Sequence, residues 1–360
     1  MENTIHKKPR IGWIDALRGF TMILVVAFHV CQDGFGLQAP QSSSMPLLKL
    51  FRMPLFFFIS GFLAYSASRQ WSLPVLGSLL LKKLRVQVVP TLVFFTVFIM
   101  LMYHDWTTAW WQSWDTETKA GYWFTLALLY MFVVYYLFEY VFRRGIAMLF
   151  VVSLAVCASC YMPAWFPWAL GYKGEPCDWI IRSSLRMAMV YFPFFLLGNI
   201  VHRHWQRAQR LMDSRWLMPV LVIVAFVSAF DYLKWHYLRL AWHSLPLITA
   251  RFSLLLIVLM SFRHYQTFFS EATRVGRSLQ YIGRRTLDIY LLHFLFIPRL
   301  PEVGAYFRVH PHTFIADTTL AVIVSLIVIG FCIVTSNVLR VSPFLKKWLF
   351  GRESTGVQQR

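Results

Sequence analysis

IDALRGFTMILVVAFHV, residues 14–30, is an apolar run long enough to cross a membrane, and it carries Asp15 and Arg18 at one end and His29 at the other. Arg18 and His29 are eleven residues apart, close to three helical turns, so both lie on one stripe of the helix, roughly 16 Å apart along its axis. Ionisable groups are costly to bury in hydrocarbon, so a guanidinium and an imidazole on one stripe point to a site or a pathway. The competing reading has Arg18 snorkelling to the headgroups and His29 resting in the far interface.

Outward from this stretch, the 360-residue chain is 58% hydrophobic and 14% charged, well above the apolar share of about 45–50% usual for a soluble domain. Apolar runs near 12–31, 47–66, 86–103, 121–142, 145–162, 182–200, 216–233, 244–262, 281–298 and 315–338 predict about ten transmembrane helices. The expected fold is therefore all-α: a single polytopic bundle over residues 1–350 with a short cytoplasmic tail at 351–360. Most of the 35 Lys and Arg residues fall in alternate loops, which puts both termini in the cytoplasm. The net charge of +19 is thereby a topology signal. Its scatter over short loops, with no single basic face, argues against nucleic acid. The first span has no small-residue cleavage site at its end and is expected to stay as an uncleaved anchor.

The five cysteines form no even framework, and Cys157-x-x-Cys160 lies inside an apolar span with no second pair, so no metal site is expected. His29, Gln32 and Asp33 sit at the root of a Gly-, Pro- and Ser-containing outer loop, which leaves His29 reachable from outside. In FRMPLFFFISGFLAY, Pro54 removes a backbone donor and Ser60-Gly61 brings small residues to mid-helix. That combination kinks a helix and admits a ligand, or simply a neighbouring helix, to its backbone. Lys82 and Arg85 are one turn apart, two cations aimed at one spot, suited to a phosphate-bearing ligand or to a positive-inside anchor. Trp106, Trp110, Trp111 and Trp114, beside Asp115 and Glu117, suit an interfacial belt or a sugar contact, and the loop PAWFPWALGYKGEPCDW repeats the theme. Arg186, Arg251 and His293 are further ionisable groups inside predicted spans. Arg285 and Asp288 are spaced to pair. No Walker, GxGxxG, HExxH or GxSxG motif is present, which leaves nucleotide hydrolysis, zinc proteolysis and serine-esterase chemistry without support.

IDALRG followed by His29, FRMPLFFFISGFL, the basic residues before the third span, YWFTLALLY, YFPFFLLGN and GRRTLDIYLLH together resemble the acyltransferase-3 family of integral membrane acyltransferases that modify cell-surface carbohydrates. Several of these stretches look most similar to the branch with glucan-succinylating proteins, and polysaccharide O-acetyltransferases share many of them. The resemblance implies His29 as catalytic base, with Arg18, Lys82 and Arg85 meeting cytoplasmic acyl-CoA, either acetyl-CoA or succinyl-CoA. Asp15, Ser60, Gly61 and His293 stand beside these as substrate-contacting or supporting residues, with the Ser60 hydroxyl, the Gly61 amide or a buried arginine as candidate donor to the oxyanion. The family's R-x-x-R stands here as Lys82-x-x-Arg85, so Lys83 competes with Lys82. The resemblance further implies a bacterial inner-membrane protein acting on a surface glycan or lipid-linked sugar, with no metal. Two other readings stand beside it: a flippase for a lipid-linked glycan, and an acetyl-CoA-dependent amino-sugar N-acetyltransferase.

Overall fold

The computed structural model describes residues 11–38, 41–42, 44–142, 145–161, 178–231, 245–310 and 313–350. The basic N-terminal flank, the Arg143-Arg144 pair, the loop 162–177 with Cys177, and the tail 351–360 lie outside the described residues. Among those described there are helices and no strands.

Seven helical segments are long and apolar enough to span a membrane. They begin with α1 (Gly12–His29), prolonged by a π-helical turn at Val30–Gly34, and α2 (Ser44–Ala64). The third combines α3 (Leu73–Lys83), a second π turn at Leu84–Val88, and α4 (Val89–Met102). After α5 (Trp106–Trp114) on a loop come α6 (Trp123–Phe142), the shorter α7 (Ile146–Ser159), α8 (Asp178–Arg182) and α9 (Leu185–Arg203). Helices α10 (Trp205–Met212) and α11 (Leu217–Phe230) form a pair bent by 80°, an eighth span if counted as one. Helix α12 (Leu245–His264) follows, then α13 (Arg274–Arg284), the shorter apolar α14 (Thr286–Phe296), α15 (Pro301–Val309), α16 (Phe314–Leu339) and α17 (Pro343–Phe350). The ten expected apolar runs each meet a helix; among the described residues seven, or eight with the bent α10–α11 pair, are long and apolar enough to span, and α7 and α14 are shorter apolar helices.

The bundle is organised around α1, whose Ala16, Leu17 and Val26 are wholly enclosed. A helix apolar on every side belongs in the middle, and α1 packs on α2, α13 and α16. Two crossings are close enough to require glycine. A Cβ on Gly19 would stand 2.0 Å from the Leu279 carbonyl oxygen, and one on Gly283 would stand 1.8 Å from that of Asp15, which joins α1 to α13. Gly61 meets the Phe195 carbonyl and Gly198 that of Phe58 in the same reciprocal way, joining α2 to α9. Lipid offers no hydrophobic drive between helices, so close backbone approach at small residues is how such pairs gain contact. The outward faces are apolar, with Ile315, Val334 and Phe226 bare on α16 and α11.

Candidate active site

A cavity of about 1080 Å³ runs along α1 and has Arg18, Met22, Val25 and His29 on one wall. It joins the two ends of the stripe read from the sequence. At the Arg18 end it is lined by Arg69, Lys82 and Lys83; at the His29 end by Asp33, Lys49, Arg52 and Arg299, with Ser60 and Phe56 between.

The His29 end is built by the π turn that finishes α1. There the His29 Nδ1 lies 3.0 Å from Asp33 Oδ2. With Nδ1–H donating to the carboxylate, the Nε2 lone pair is left for a proton from elsewhere. π turns concentrate at functional positions because the wider turn re-aims side chains. The ring is held edge-on by Phe294 at 4.8 Å and Phe28 at 5.6 Å, and His293 lies 5.3 Å away between centroids. His293 is fully buried, and its Nδ1 donates to the carbonyls of Ile289 and Tyr290 on its own helix, so it supports the pocket wall beside His29.

Opposite stands a turn with three successive residues at positive φ: Lys119 (47°), Ala120 (49°) and Gly121 (96°). The side chain of Lys119 is enclosed, with Nζ donating to the carbonyls of Trp114 (2.6 Å), Thr116 (3.2 Å) and Arg182 (2.5 Å). Burial pushes its ammonium down to about 8, against the pull of Asp115 and Glu117. This clamp sets Gly121 against the Phe294 ring, where a Cβ would fall 2.0 Å from Cζ, and so fixes the face on which His29 packs. Tyr122 and Tyr290 add hydroxyl donations to the carbonyls of Leu291 and Gly121 across the same contact.

At the other end, Arg18 donates to the Thr286 hydroxyl at 2.8 Å and lies 3.5 Å from Asp15, which ties it to α14 and to its own first turn. Lys83 Nζ lies 3.5 Å from the centroid of Phe132. Lys82 and Lys83 line the cavity; Arg85 is not among the lining residues and stacks at 5.9 Å on Trp348. Lys82 therefore borders the cavity and Arg85 does not, although their spacing in a regular α-helix suggests one face, and a π turn begins between them at Leu84. Ser60 borders the cavity with its hydroxyl donating to the Phe56 carbonyl at 2.8 Å. Gly61 is turned to α9 and serves packing. Asp288 pairs chiefly with Arg340, at 2.6 and 2.8 Å, and accepts from Ser336, with Arg285 farther off at 3.7 Å.

Lys49 and Arg52 fall at the start of the second apolar run, where counting basic residues by loop assigns them to the outer side. Helix α2 starts at Ser44, so both sit one to two turns inside it, with Arg52 Cζ 3.5 Å above the Phe28 ring. The signal was present, since an arginine two residues before Pro54 already fell within the apolar run. Among the described residues, no group of three or more His, Cys, Asp or Glu side chains is placed to hold a metal ion.

Comparison with known families assigns residues 11–337 to the acyltransferase-3 model, described as an acyltransferase domain. The chain belongs to the acyltransferase-3 family. It is a multi-pass membrane acyltransferase acting on groups other than aminoacyl groups. No curated protein and no solved structure matches it.

Proposed function

We propose that this acyltransferase moves an acyl group, acetyl or succinyl, from cytoplasmic acyl-CoA to a hydroxyl of a surface or lipid-linked glycan, with His29 as general base. The observation that carries this reading is the one cavity bordered both by the His29–Asp33 pair and by Arg18, Arg69, Lys82 and Lys83. The protein sits in a bacterial inner membrane with the Arg18 end facing the cytoplasm. The CoA phosphates meet the cations at that end as point-charge and fork contacts. The extended pantetheine arm is comparable to the ~16 Å between the ends of the stripe, and it brings the thioester to His29.

A sugar hydroxyl is a weak nucleophile at neutral pH, so it needs a base that is neutral near the working pH. His29 Nε2 takes the hydroxyl proton as the oxygen bonds to the thioester carbon. The tetrahedral oxyanion collapses, the C–S bond breaks, and the imidazolium returns the proton to the leaving CoA thiolate. Asp33 holds the tautomer and offsets the imidazolium charge.

Purified protein incubated with radiolabelled acyl-CoA and a glycan acceptor tests this. Thioester consumption that requires acceptor, and labelled glycan that disappears in H29A, are the expected results. A flippase would leave the thioester intact. Equal labelling by H29A would remove His29 from the chemistry.

A further inference from the structure

Among the described residues, the cavity is lined by eight Lys and Arg side chains and one carboxylate, Asp33, which is already engaged with His29. Four of the eight lie at the Arg18 end, where acyl-CoA phosphates occupy them in the proposed reaction. The other four, Lys49, Arg52, Arg251 and Arg299, have no such role, because transfer of a neutral acyl group to a neutral hydroxyl brings no anion that would occupy four cations.

Two of them bury a guanidinium Nε that has no acceptor. Arg52 lies 3.5 Å over Phe28, which neighbours His29, and its Nε is buried with no acceptor; no hydrogen bond or ion pair ties it to any described residue. Arg251 is 9% exposed. It donates to the Tyr161 hydroxyl at 2.5 Å and stands 5.3 Å from the Tyr191 ring, and its Nε likewise has no acceptor. Phe262 of the same helix packs on Phe20 at 5.2 Å, so Arg251, three turns back toward the start of α12, belongs to the His29 end. Aromatic faces return only part of what a guanidinium loses on leaving water, and a buried charge without an anion is a costly arrangement. A planar donor fork is matched by a carboxylate or a phosphate.

We propose that Arg52 and Arg251 form an anion site at the His29 end of the cavity, taking a carboxylate or phosphate carried by a substrate. The assignment to a substrate rests on the acyl-transfer reading above. The anion has two sources: the free carboxylate of a dicarboxylic acyl group such as succinyl, or the phosphate of a polyprenyl-linked acceptor.

Equilibrium binding to the full-length protein in nanodiscs separates them, using acetyl-CoA, succinyl-CoA, a polyprenyl phosphate and the corresponding polyprenol as probes. If the anion is on the acyl group, succinyl-CoA binds roughly tenfold tighter than acetyl-CoA, and in R52Q and R251Q that advantage disappears. If it is on the acceptor, the polyprenyl phosphate outbinds the polyprenol by a similar factor, and the same variants erase the difference. R52K and R251K, which keep a charge without the fork, retain part of either preference and guard against loss through misfolding. Wild type with neither preference, or Gln and Lys variants that keep the wild-type preference unchanged, overturns the anion site. Failure of wild type to bind either CoA ester sinks the donor reading alone, since the polyprenyl arm still judges the two arginines.

Discussion

At the π-helical end of α1, His29 Nδ1 lies 3.0 Å from the Asp33 carboxylate, the contact through which Asp33 orients the imidazole in the proposed reaction. D33N keeps the shape but no longer favours one tautomer or the imidazolium, so kcat is expected to fall about tenfold to a hundredfold with little change in KM. An unchanged kcat would leave Asp33 without a role. Lys119 makes a separate prediction. Its folded-state value of about 8 lies below the ordinary lysine value near ~10.4, so between these the unfolded chain holds more protons and stability rises with pH. The melting temperature of wild type relative to K119M should therefore climb from about pH 8 to about pH 10, and a flat or falling difference would contradict the clamp. His29 and Arg18 were legible because each interrupts an apolar run. Arg52 was not read as lining a site, because counting basic residues by loop places it on the outer side although it lies within the apolar run 47–66.

The helices meet at two glycine crossings, α1 on α13 and α2 on α9, where backbone touches backbone. G61A places a methyl 1.8 Å from the Phe195 carbonyl, and the helices must part to admit it. Such overpacking costs about 1–3 kcal/mol, seen as a lower melting temperature of the detergent-solubilised protein. G77A, where a Cβ meets open space, serves as the control and should melt close to wild type. Beside the second π turn, Lys83 lies on the cavity and Arg85 on Trp348. K83Q is thus expected to raise the KM for acyl-CoA several-fold more than R85Q does, and the reverse order would mean that the phosphates bind outside the cavity. Helix positions were readable from hydropathy, since all ten apolar runs meet helices. Breaks within them were not, because hydropathy windows do not register a bend of 80° or the end of a helix inside an apolar run. Nor does regular 3.6-residue phasing anticipate a π turn.

At the scale of the molecule the governing feature is the cavity along α1 and its charge, eight basic side chains against one carboxylate among the described residues. A cavity with so little counter-charge gains stability from anionic ligands that bind the folded state, so acyl-CoA should raise the melting temperature in a concentration-dependent way. The membrane class and helical architecture could be read from composition, and the family from six short stretches in order. The cavity itself could not, because it is made by side chains from helices far apart in sequence whose facing depends on the crossings. The claim on which the account turns is that His29 deprotonates an acceptor hydroxyl for attack on the thioester. Mass spectrometry of surface glycans from cells lacking this protein, complemented with wild type or with H29A at matched membrane levels, tests it most directly. The account predicts that wild type restores a mass increment of one acyl group and that H29A restores none; the same increment in both would contradict it.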